Sequence, residues 1–159
     1  MSEGRVEGAG EDRVTKVIRV NAAPAVAWRV FVAMGTWWPL PSHHIGRADA
    51  VDAVIEPRVG GRWYERGADG STCDWGRVLT WEPHQRLVLA WQISAEWQHD
   101  PGLHTEVEVR FVPDGAGTRV ELEHRGLGAY GARRDEMRAA FDSEGGWNGM
   151  LAAFAAATP

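Results

Sequence analysis

The sequence predicts a single α+β domain in which a bent antiparallel sheet of six to seven strands wraps around a long C-terminal helix. Three observations carry that expectation. The middle of the chain is a run of β-branched and aromatic segments separated by turn residues. The last two of those segments alternate apolar and charged residues, so one face of the sheet is buried. The one long segment left over, Arg133–Ala157, carries an apolar stripe at helical spacing that can cover that face. A chain of 159 residues is the length of one domain and is long enough to enclose a core or an internal cavity.

Met1–Asp12 is small, charged and glycine-rich and reads as a flexible tail, leaving 13–159 as the domain. Val14–Val20 is a first strand. Asn21-Ala22-Ala23-Pro24 starts a helix, because proline at the first helical position gives up an N–H that has no intrahelical partner. Ala25–Met34 is that helix, Gly35-Thr36-Trp37-Trp38-Pro39 ends it, and Leu40–Asp49 is a loop carrying His43 and His44. Six further strands follow at Val51–Glu56, Gly61–Arg66, Cys73–Trp81, Arg86–Ile93, Thr105–Val112 and Thr118–His124. Asp69-Gly70, Glu82-Pro83-His84-Gln85 and Asp114-Gly115 are short turns, so successive strands are neighbours in an antiparallel meander. Ser94–Leu103 is a longer link that should overhang one end of the sheet.

Val107, Val109 and Phe111 alternate with Glu106, Glu108 and Arg110, and Val120, Leu122 and His124 alternate with Arg119, Glu121, Glu123 and Arg125. Charge pairing selects a register for these two strands. With Phe111 opposite Val120, Arg110 meets Glu121 and Glu106 meets Arg125, although Glu108 then faces Glu123. A slip by two residues opposes Arg110 to Arg119 and Glu106 to Glu123, which is worse. In the C-terminal segment Trp147, Met150, Leu151 and Phe154 fall at i, i+3, i+4 and i+7. Gly145-Gly146 weakens the middle, so a short helix, a break or kink, and then the main helix are expected.

Composition excludes several function classes. The formal charge of −5 and the lack of a basic run argue against a nucleic-acid partner. Cys73 is the only cysteine, which rules out an intrachain disulfide and a cysteine-based metal site. No apolar run reaches the ~18–20 residues needed to span a bilayer, and no signal peptide is recognisable, so no membrane partner is expected and the placement is cytoplasmic. His43-His44 lie side by side on a loop, and His99 and His104 flank Asp100-Pro101-Gly102; none has the spacing of a metal site. Neither a metal nor a cofactor is expected. Ser42 precedes His43-His44, but adjacency alone does not create a catalytic geometry, and no catalytic residue is assigned.

The order of elements and several short motifs resemble a known superfamily. Asn21-Ala22-Ala23-Pro24 with Trp28, Phe31 and Trp37-Trp38-Pro39 is similar to the opening of SRPBCC (START and birch-pollen-allergen-like) proteins, whose fold is the helix grip. Glu56-Pro57, Gly60-Gly61-Arg62-Trp63, Trp75-Gly76-Arg77-Val78, Glu82-Pro83, Arg86-Leu87-Val88 and Gly146-Trp147 resemble the AHSA-type branch, related to the activator of heat-shock protein 90 ATPase. The likeness runs from about Val14 to Phe154. It implies a cavity between sheet and C-terminal helix for a small apolar or aromatic ligand, and members of the branch often pair as homodimers. It does not imply a chaperone role, since fold does not determine function.

Nine tryptophans are many for a domain of this size, and they are the main functional signal. Trp28, Phe31, Trp37, Trp38, Trp63, Trp91, Trp147 and Leu151 sit on elements that should border the space under the C-terminal helix. Trp97, in the long link, is expected at the surface or the entrance. Glu65 shares a strand face with Trp63, and a carboxylate pointing inward needs a partner or a shifted pKa. His124 ends an inward-facing series, where it could meet Glu65 or a ligand. A ligand held by the tryptophans and oriented by Glu65, His124 or Arg62 makes a small-molecule binding protein, the favoured reading. The same cavity suits an enzyme of the cyclase, hydratase or hydrolase kind, and a co-chaperone-like protein-binding module is the third alternative.

Overall fold

The computed structural model describes residues 12–159, so the expected tail lies outside the described residues up to residue 11. β1 (Arg13–Val20) leads into α1 (Pro24–Val32), with Pro24 at the helix start. A single 3-10 turn, Met34–Thr36, ends that arm. The meander then runs through β2 (Ala50–Ile55), β3 (Arg62–Gly67), β4 (Thr72–Glu82), β5 (Arg86–Trp91), β6 (Thr105–Asp114) and β7 (Gly117–Arg125). All seven strands form one antiparallel sheet in the order β1-β7-β6-β5-β4-β3-β2, so only the first strand leaves sequence order. This curled sheet, covered by the C-terminal helices, is the helix-grip arrangement.

The β6–β7 register is the one that charge pairing selects: Phe111 opposes Val120, Arg110 opposes Glu121, Glu106 opposes Arg125, and Glu108 faces Glu123. Register shifts interrupt β2–β3, β3–β4 and β4–β5, and such irregularities bend a sheet locally. Beside them, Gly60 adopts a left-handed φ of 83°, and a Cβ at Gly61 would come within 2.9 Å of the Arg58 carbonyl oxygen. That close approach is what the two glycines permit.

The C-terminal segment is a short helix, a break and a second helix, as Gly145-Gly146 predicts, although the second helix is short. A 3-10 stretch (Leu127–Arg133) precedes α2 (Arg134–Phe141), a π turn (Glu144–Asn148) follows, and α3 (Gly149–Ala157) has only nine residues. The break is enforced at Gly146, whose backbone is non-helical (φ −100°, ψ −138°). A Cβ there would lie 2.3 Å from the Ala140 carbonyl oxygen, so no other residue fits without displacing α2. The stripe still works: Trp147, Met150, Leu151 and Phe154 are all buried. α1 packs on β6 and β7, and α3 on β1 and α1.

Candidate functional site

A cavity of about 390 Å3 opens where the C-terminal break faces the upper strands. That volume lies within the ~300–1,000 Å3 of small-molecule sites. The sheet supplies Trp75 from β4, Trp91 from β5 and Ile93 just beyond it; the opposite wall is Phe141, Gly145, Gly146 and Met150. The loop after α1 closes one side with Trp38, Ser42, His43, His44 and Ile45, and Trp97, half-exposed, stands at the mouth. The walls are aromatic, while the polar groups come from one loop and from Ser143.

The ten residues singled out in the sequence divide into three groups. Trp38 and Trp91 border the cavity directly. Glu65 borders an adjoining polar cleft of about 570 Å3 beyond Ile45, which also includes Cys73 and His99. The other seven form the packed shell behind the walls. Trp28 meets Phe111 at 5.4 Å, and Phe31 meets Trp37 and Phe154 at 5.2 and 5.3 Å. Trp63 lies 5.6 Å from both Trp75 and Trp91, and Trp147 lies 6.0 Å from Trp38 and 5.9 Å from Trp91. Leu151 is buried beside them, and so is His124.

His124 is sealed in by partners at both nitrogens. The Trp147 indole N–H donates to Nδ1 at 3.2 Å, so in a neutral ring the proton sits on Nε2, which donates to the Thr105 hydroxyl at 3.0 Å. Thr105 passes the chain on by donating to the Trp91 carbonyl. With no exposed surface and no anion at hand, burial pushes the His124 pKa down to about 3, so the ring is neutral around pH 7. It does not meet Glu65; it stacks on Phe141 at 4.3 Å.

Glu65 is equally occupied. Its carboxylate accepts the backbone N–H of Ile45 at 2.7 Å and of Gly46 at 3.0 Å, and the Trp75 indole N–H at 2.8 Å. One strand residue thus anchors the histidine loop and orients a cavity tryptophan. His44 lies 3.7 Å from the same carboxylate and donates through Nδ1 to the Gly46 carbonyl at 3.1 Å. Arg62 turns the other way: it pairs with Asp74 at 2.6 Å and stacks over Tyr64, on the convex side away from the cavity. The Cys73 thiol is pushed up by burial and by the Glu65 and Asp74 charges, so it stays protonated and unreactive near neutrality.

His43, passed over in the sequence as one of a loop pair, has the most pointed geometry. Its Nδ1 lies 2.7 Å from the Ser42 hydroxyl and its Nε2 lies 2.6 Å from the Gly145 carbonyl oxygen. The contact joins residues 102 apart in sequence and closes the loop onto the C-terminal break. The Trp91 indole N–H is buried without a hydrogen bond of good geometry. It lies close enough to the Tyr130 oxygen to offset a little of the rise that burial imposes on that phenol. Among the described residues no group of three or more histidines, cysteines and carboxylates is placed to hold a metal ion. No helix among them is long and apolar enough to cross a membrane.

Residues 21–158 match the family model for Activator of Hsp90 ATPase homolog 1-like protein. Among solved structures, the chain is similar to Txn09, an anthrahydroquino-gamma-pyrone synthase. The two share 38% identity over 92% of this chain and 98% of that one, with a TM-score of 0.64. It is also similar to CalC, a self-sacrificing resistance protein from Micromonospora echinospora, at 26% identity over 92% and 93% of the two chains and a TM-score of 0.66. The Aha1 dimer from Colwellia psychrerythraea shares the fold at 16% identity, covering 92% and 95%, with a TM-score of 0.63. No curated protein sequence matches.

Proposed function

The chain belongs to the Activator of Hsp90 ATPase homolog 1-like family, and from that premise we propose that it binds a planar, fused aromatic small molecule in the 390 Å3 cavity. The observation that carries the reading is the composition of the walls. Trp38, Trp75, Trp91 and Phe141 offer flat apolar faces, and among the described residues no lysine, arginine or carboxylate lines the space. A ligand there is uncharged or weakly acidic, and its polar groups meet the Ser42–His44 loop. Trp38 and Trp91 touch it. Trp28, Phe31, Trp37, Trp63, Trp147, Leu151 and His124 hold the walls in place, and Glu65 holds the loop. The name of the 38% identical relative, a synthase of an anthrahydroquino-γ-pyrone, describes chemistry on a fused aromatic system of this kind. We propose a cytoplasmic location alongside this reading, and a homodimer, which sedimentation would reveal.

Hydroxyanthraquinones serve as probes. Titration should quench the intrinsic tryptophan fluorescence saturably, with one site per chain. Ala140 lines the cavity, and Ala140→Phe fills it from α2. That variant should abolish the saturable quenching while the protein stays folded. Quenching that persists unchanged in the filled variant would place the dye elsewhere and end this reading. An enzymatic reading of the same cavity is favoured by one observation, the contact of Ser42 with His43.

A further inference from the structure

We propose that Ser42 and His43 form a proton relay that accepts a phenolic proton from the aromatic ligand, a step that rests on the binding reading above. A carbonyl oxygen can only accept, so the 2.6 Å contact to Gly145 requires the proton on His43 Nε2. A neutral ring then has its lone pair on Nδ1, and the Ser42 hydroxyl, 2.7 Å away, is the donor. One ring nitrogen is held by an orienting acceptor and the other faces a hydroxyl, the arrangement that lets imidazole take up a proton. Gly145 exists in this position because the chain breaks at Gly146, so the feature that splits the C-terminal helix also orients the base.

The surroundings restrict what else could act. Among the described residues, the titratable side chains lining the cavity are His43 and His44. His44 commits Nδ1 to Gly46 and stands beside the Glu65 carboxylate, which is itself filled by three N–H donors. Cys73 lies in the adjoining cleft as a thiol. His124 is fully buried and does not line the cavity. Ser42 is exposed at the rim and has a second acceptor, the Pro39 carbonyl at 3.3 Å, to which its hydroxyl can turn.

The step balances without a further reactant. The ligand O–H bond breaks and its proton passes to Ser42 Oγ as the serine proton moves to His43 Nδ1. The bonding pair stays on the ligand oxygen as a phenolate. His43 becomes an imidazolium that donates to Ser42 and to the Gly145 carbonyl, both of which accept it without rearrangement. Return of the proton by the same route completes a cycle. The activity this implies is general-base catalysis on a hydroxylated aromatic substrate, for which the phenolate is the reactive form.

The test uses alizarin, whose absorbance reports ionisation of its phenol, at saturating protein. In the unaltered protein the bound dye should ionise at least about one pH unit below the free dye, a tenfold change in the equilibrium. His43→Gln and Ser42→Ala should each return most of that shift, and 15N NMR of the free protein should show His43 as the Nε2–H tautomer. A shift that survives in both variants, one removed by His44→Gln alone, or an Nδ1–H tautomer overturns the relay. Quenching by alizarin without any shift leaves the binding reading standing and sinks the relay. Absence of saturable quenching by alizarin and related hydroxyanthraquinones sinks both.

Discussion

Glu65 on the concave face of the sheet and Glu108 on the convex face are buried almost alike, 2% and 6% exposed, yet they are held by different chemistry. Glu108 sits among three guanidiniums: Arg86 at 2.5 Å, Arg110 at 2.8 Å, and Arg125, which also reaches Glu106 and Glu123. Burial alone would raise its pKa. The hydrogen bonds from Arg86 and Arg125 and the charge of Arg110 outweigh that and hold the carboxyl below its ordinary range. Among the described residues Glu65 has no arginine or lysine partner and is satisfied by two backbone N–H groups and an indole. The convex face answers charge with charge, whereas the concave face answers it with dipoles. An aromatic cavity can therefore sit beside a carboxylate without a cation intruding, and among the described residues the groups lining it that can move a proton are imidazoles and hydroxyls.

The concave side should be the more fragile when its donors lose their acceptor. Glu65→Ala strands three N–H groups and frees the histidine loop, an expected loss of about 3–5 kcal/mol in denaturant unfolding with probe binding abolished. Trp63→Ala removes a fully buried ring and should cost a similar ~3–5 kcal/mol. A loss below about 1 kcal/mol in both would mean that stability does not reside in the inner face.

The next contrast lies in pH. His124 has a folded pKa of about 3 against the ordinary histidine value of 6.5. Between those values the unfolded chain binds the proton and the folded one does not, so stability should rise with pH across that window. Moving downward, it falls by at most ~1.4 kcal/mol per pH unit. Glu108 runs on a lower window: its depressed folded pKa contributes stability above about 4.5 that is lost as pH drops through the folded value. Acid titration of His124→Leu should therefore flatten the slope near pH 5–6 and, below 4.5, leave only the part that Glu108 and other carboxylates supply. An unchanged slope in that variant would assign the pH 5–6 loss to other groups.

Smaller effects belong to the convex face. Glu108→Gln leaves its arginines facing one another, but all three are partly exposed, so about 1–3 kcal/mol is expected, shrinking as salt is raised. Arg110→Ala, on a half-exposed side chain, should cost less than about 1 kcal/mol. A salt-independent loss on the convex face would show that packing rather than charge holds Glu108.

Local pattern carried much of this protein's architecture. Alternation along β6 and β7 told the inner face from the outer, charge pairing selected their register, and Gly145-Gly146 marked the break in the C-terminal helix. These are short-range facts, because strand period, cross-strand charge and glycine geometry act between neighbours. Depth was another matter. Alternation puts Trp63 and Trp91 on the same inner face, yet only Trp91 borders the cavity while Trp63 is packed behind it. Face and depth separate because the sheet curls, and curl depends on register shifts that no single strand encodes. Likewise nothing in the dipeptide Ser42-His43 announces a base. Its geometry exists because Glu65 pins the following residues and the distant Gly145 carbonyl fixes the ring, a coincidence of three separated segments that only the folded chain can bring together.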